Sequence, residues 1–133
     1  MNNITWKYVK PLVEADSVEK FEAAHGVSIP TDLKRVIKDS NGGRPSLKYY
    51  DLPGEKDKEF KTLLSFNESD AETIYKSYQR IDSSDKSMLP FASDSAGNLF
   101  VIKDGKVCLW QHESDTAVVV ADTFTAFLDM LHA

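Results

Sequence analysis

The chain has 133 residues, of which 41% are hydrophobic and 28% charged, with a formal net charge of −5; it is long enough for one core-forming domain and too balanced for a disordered, collagenous or coiled-coil chain. Its longest apolar runs, residues 99–102 and 117–121, fall far short of the ~20 residues that cross a bilayer, and residues 1–7 lack the apolar run of a signal peptide. A single cytoplasmic domain over residues 1–133 is expected, with no membrane partner, and the lone Cys108 excludes an internal disulfide or a CxxC pair.

In chain order, Asp16 is placed to cap a helix over 17–25, with Val18, Phe21 and Ala24 on its inner face and Gly26 as its stop. Pro30-Thr31-Asp32 opens a second helix that buries Leu33, Val36 and Ile37 and ends at Asn41-Gly42-Gly43. The following stretch has weak patterning: residues 47–52 and 60–66 suit strands and 53–58 a charged loop. Ser69 or Asp70 would cap a third helix with Ile74, Tyr78 and Ile81 inward, and residues 83–86 read as loop.

From Met88 the apolar period becomes two. Asp104-Gly105 between β-rich runs predicts a two-residue hairpin turn, which pairs Lys103 with Lys106, Ile102 with Val107, Val101 with Cys108, Phe100 with Leu109 and Leu99 with Trp110. One face of that hairpin carries Phe100, Ile102, Val107 and Leu109 and suits a helical layer; the other carries Leu99, Val101, Cys108 and Trp110 and is the face expected to meet solvent or a partner. Strands over 89–93 and 117–121 extend the hairpin into an antiparallel meander, and Asp122 would cap a closing helix over 123–131. The fold class is α+β, a mostly antiparallel sheet flanked by helices.

The chain has no phosphate loop, dinucleotide fingerprint or nucleophile elbow, and His25, His112 and His132 stand in no metal-ligand spacing. Cys108 alternates within the hairpin as a packed thiol, Asp94 to Asn98 lacks the length and closing glutamate of a calcium loop, and Asn41-Gly42-Gly43-Arg44 reads first as a helix stop and second as an anion nest. No catalytic, cofactor-binding or metal-binding residue is picked out. Charge is more informative: residues 1–66 carry 11 basic and 10 acidic side chains, residues 67–133 carry 5 and 11. That sign argues against direct nucleic-acid binding and for a face complementary to a basic protein.

Phe21-Glu22 with Gly26-Val27-Ser28-Ile29-Pro30, Leu33 to Ile37 and Asn41-Gly42-Gly43 resembles the N-terminal motif of the SUKH superfamily of Smi/Knr-like domains. Leu89-Pro90-Phe91-Ala92-Ser93-Asp94, Gly97-Asn98-Leu99-Phe100 and Val107-Cys108-Leu109-Trp110 resemble its central strands, and Val119 to Leu128 its closing strand and helix. The resemblance implies helices around a sheet, no cofactor and no catalytic residues. It implies an immunity protein that binds and neutralises a cognate toxin, in many cases a basic nuclease domain, in the cytoplasm of the bacterium that makes both. The alternative is a regulatory scaffold for signalling or cell-wall enzymes, like the yeast relatives. This chain's own chemistry nominates the partner-binding residues: Asp94, Asp104, Glu113 and Asp115 as the acidic field and Trp110 as the anchor.

Overall fold

The computed structural model describes residues 3–81 and 87–133; the loop expected at 83–86 lies outside them. An N-terminal strand β1 (Trp6–Lys7) leads into helices α1 (Ser17–His25) and α2 (Thr31–Ser40), followed by short strands β2 (Arg44–Pro45), β3 (Tyr49–Leu52), β4 (Glu55–Glu59) and β5 (Thr62–Leu63). Helix α3 (Ile74–Arg80) interrupts before the meander β6 (Leu89–Ser93), β7 (Leu99–Lys103), β8 (Lys106–Gln111) and β9 (Thr116–Ala121), and α4 (Phe124–Met130) closes the chain. β1 pairs with β2, β3 with β4, and the five-stranded sheet has the order β5-β6-β7-β8-β9, antiparallel throughout. The architecture is α+β, as the patterning predicts.

Local chemistry sets several of these boundaries. Gly26, at φ 64°, takes the left-handed conformation that ends α1 and donates its N–H to Glu22 O. Asp16 occupies the cap position but makes no capping bond, its carboxylate lying 3.6 Å from Lys20 instead. The caps expected at Ser69 or Asp70 and at Asp122 fall to threonines: Thr73 accepts from Lys76 N–H and Thr123 from Ala126 N–H. Both have extended backbone that aims the hydroxyl back at the first turn. Of residues 53–58, expected as a charged loop, Pro53 and Gly54 form a turn and the rest is strand. Glu55–Glu59 pairs with Tyr49–Leu52, and that ribbon is charged on the exposed strand because it needs no second buried face.

The hairpin register matches all five expected pairs. Pro90 sits inside the sheet at a register irregularity of β6, a place where its missing N–H is tolerated. Tyr50, Phe60, Phe100 and Phe127 are each 1% exposed or less and stack around one another, with ring centroids 5.0 Å apart for Phe60–Phe100 and 5.3 Å for Phe100–Phe127. Such contacts add about 0.5–1.5 kcal/mol per pair beyond burial. The other face of the hairpin is also covered: Leu99, Val101, Cys108 and Trp110 form a second apolar cluster with Ile81 and Met88. The expectation that this face stays open is thus corrected, because the residues at the end of α3 and the start of β6 fold across it.

Buried polar groups fasten the N-terminal segment to the sheet. Asn41, 1% exposed, donates to Lys10 O at 2.8 Å and Ser65 Oγ at 3.0 Å and accepts from Phe66 N–H at 2.9 Å. The neighbouring glycines are not an anion nest: Gly43 N–H donates to Ser40 O, and both glycine carbonyls accept from Thr62 Oγ1.

Candidate functional site

In an antiparallel meander the β6–β7 and β8–β9 connections emerge at one end of the sheet and the β7–β8 turn at the other. That topology divides the acidic residues nominated from the sequence. Asp94, Glu113 and Asp115 lie at the first end; Asp104 lies at the second, roughly 14 Å away along the strand at ~3.4 Å per residue, between the paired Lys103 and Lys106. The field is therefore not one patch.

At the first end the two connections are knitted together. Asp94 Oδ1 accepts from the backbone N–H groups of Ala96 and Asn98, both at 2.9 Å, and Oδ2 from Asn98 Nδ2 at 3.1 Å. This is a self-contained Asx-type loop, with the carboxylate turned to its own backbone. His112 reaches across from the other turn: its N–H donates to Asn98 Oδ1 at 3.2 Å and its Nε2 lies 3.0 Å from Ala96 O. Gly97, at φ 88°, packs where a Cβ would come within 3.3 Å of that imidazole, so the close approach needs glycine.

Trp110 is 5% exposed, not the half-exposed anchor the alternation suggested. Its indole Nε1–H donates to Asp115 Oδ1 at 2.7 Å. The Arg80 guanidinium lies 5.6 Å from the centre of its ring and donates to Gly97 O at 2.9 Å. Asp115 itself stands at φ 52°, a left-handed position that aspartate tolerates better than most residues. Asp115 thus holds Trp110 and closes the β8–β9 turn, while Glu113 stands exposed in that same turn.

Beside this end runs the sheet's edge strand, expected from the sequence as the last strand of the meander but not marked there as a candidate surface. β9 carries no charged residue, proline or glycine, and Val118 and Val119 are 44% and 54% exposed. A signal for it was present: an uncharged run closing a meander forms an edge, and among the described residues β9 pairs with β8 alone.

The remaining reactive groups are accounted for by packing and pairing. His25 stacks between Phe21 and Tyr78 at centroid distances of 4.3 and 4.5 Å. Cys108 is 3% exposed, and burial pushes its thiol up from its ordinary range, opposite to what a nucleophile requires. His132 comes to 3.1 Å from Asp51 and 3.8 Å from Asp57, and the three ligand atoms, within 4.8 Å of one another, could receive a divalent cation. The Ala133 carbonyl and then Asp51 hold the imidazole protonated to higher pH, and an imidazolium answers both carboxylates. Spacing could not reveal this cluster, since His132 and Asp51 lie 81 residues apart. A groove of about 470 Å³ between α1 and the segment after β5 is lined by Phe21, Phe66 and Tyr75, with Glu14 and Lys20 at its rim. Those two rim charges pair at 2.6 Å.

Among the described residues no helix is long and apolar enough to cross a membrane. Compared with protein-family models, the chain matches that of the SMI1 / KNR4 family (SUKH-1) over residues 12–130, which takes in all four helices and every strand except β1. None of the curated proteins compared matches it.

Proposed function

The chain belongs to the SMI1 / KNR4 family (SUKH-1), and from that premise we propose that it is an immunity protein: it binds a cognate protein toxin in the cytoplasm of the producing bacterium and blocks that toxin's activity without catalysing a reaction. The observation that carries the reading is the charge distribution. Residues 67–133 carry 5 basic and 11 acidic side chains, and Glu113 and Asp115 stand exposed together in the turn at one end of the sheet.

A toxin domain that acts on nucleic acid must carry a basic groove to hold phosphates. An acidic protein surface competes for that groove by the same electrostatics, and its long-range field accelerates docking. Glu113 and Asp115, with Asp94 behind them, are the acids we assign to that surface. Asp104 sits at the far end between two lysines and Trp110 is packed inside, bonded to Asp115, so neither is assigned to that surface. The reading is tested by co-expressing this protein with the polypeptide encoded beside its gene, scoring growth and then co-purification. Rescue of a growth defect together with a stable complex is expected. A harmless neighbour and no complex would turn the reading towards a regulatory scaffold.

A further inference from the structure

We propose that β9 is a docking edge that takes up an extended, apolar β-strand of a basic partner, continuing the five-stranded sheet by one strand; the assignment of that partner as a toxin rests on the functional reading above. Native sheets protect their edges with lysines, proline, inward charges, β-bulges or very short strands, and of these β9 carries one register irregularity near its C-terminal end. The opposite edge, β5, has two residues. β9 has six, uncharged, and projects Val118 and Val119 into solvent, one on each face of the strand. The irregularity where Val107 and Cys108 meet Ala121 and Val119 leaves Thr116–Val119 as the regularly paired stretch.

The flanks specify the occupant. Asp115 directly precedes β9 and Asp122 directly follows it, roughly 24 Å apart at ~3.4 Å per residue; Lys106 adjoins Asp122, since Val107 pairs with Ala121, so the acidity is concentrated at the other end, where Glu113 stands beside Asp115. A strand with an alternating apolar centre and cations where it meets Glu113 and Asp115 satisfies both terms, with main-chain hydrogen bonds supplying affinity and the charged end supplying register. A second copy of this chain fits worse. Antiparallel pairing of two β9 strands sets Glu113 and Asp115 of each copy towards Asp122 of the other, acid against acid, with Lys106 beside Asp122 as a partial offset.

The experiment uses the full chain and two synthetic peptides with one alternating Thr-Val core, the first with paired lysines at its ends and the second with paired glutamates. Amide resonances and exchange protection of Thr116–Ala121 are followed on titration. The lysine peptide is expected to protect those amides and to bind about tenfold more tightly than the glutamate peptide at low salt, the sum of a few exposed pairings. Glu113→Gln with Asp115→Asn and Asp122→Asn should bring the two affinities together while keeping the turn and the Trp110 bond. Val119→Lys, at an exposed position, should abolish binding and leave the thermal midpoint unchanged within about 2 °C. Equal affinities for the two peptides, binding by neither, responses confined to other strands, or protection of β9 in the free protein by self-association would each overturn the proposal. Peptide binding at β9 with no neutralisation of a neighbouring toxin would sink the immunity reading and leave the docking edge standing.

Discussion

Single side chains in this protein act by joining elements far apart in sequence. Asp32 accepts from Thr125 N–H at 2.9 Å, Thr125 Oγ1 at 2.8 Å and Leu33 N–H at 2.9 Å, tying α2 to α4. Partial burial works to raise its carboxyl, yet the hydrogen bonds from Thr125 and Leu33 outweigh it and hold the group below the ordinary range. A group depressed in the folded state contributes stability above the unfolded value near ~3.9 and loses it as the pH falls through the folded value. Asp32→Asn should therefore flatten the fall of thermal midpoint below pH ~4, and a variant with the same acid limb as the parent would refute the assignment. Asn41→Ala strands the buried Phe66 N–H, while Ser65 Oγ keeps Asp70 and Asn67 and Lys10 O keeps Asn67, and it should cost about 2 kcal/mol, or roughly 8 °C in thermal midpoint for a domain of this size. A loss under about 1 kcal/mol would mean that water replaces the amide.

At the scale of elements, the turn at Asp115 has two functions that can be separated. Asp115→Asn keeps an acceptor for the Trp110 indole and a residue at ease with positive φ, so fold stability should hold while the charge is lost. Asp115→Ala removes both and should cost about 1–2 kcal/mol. Paired denaturant titrations read the difference, and equal stabilities would show the Trp110 bond to be dispensable. The hairpin around Asp104-Gly105 was legible because turn chemistry and a period of two agree there, and its register fixes which acids share an end. Strand β4 was not legible. Glu55-Lys56-Asp57-Lys58-Glu59 has no apolar alternation, and its pairing is decided by the β3 ribbon beside it. The helix caps were off by one to four residues because Asp and Thr stand in succession before α4 and a run of cap-competent residues precedes α3, leaving geometry to choose between them. Trp110 was misread for a tertiary reason: the residues that bury it, Ile81 and Met88, are remote from the hairpin in sequence.

For the molecule as a whole, fold and charge divide the work. The aromatic core and the second cluster around Trp110 pack the two faces of the sheet, and the acids with their uncharged edge are presented on that frame. The family was legible from the order of helix stops, the meander and the closing helix; the contact surface was not, since it depends on which turns meet at one end and on which strand lacks a neighbour. If the acidic end steers association, kon for the complex should fall steeply with ionic strength while koff changes little; a flat kon would remove electrostatics from the account. The most direct test of the central claim is titration of the neighbour-encoded polypeptide's catalytic activity with this purified protein. Stoichiometric loss of activity, with an end point at equal amounts of the two proteins, is the predicted result. Full activity in a large excess of this protein would contradict it.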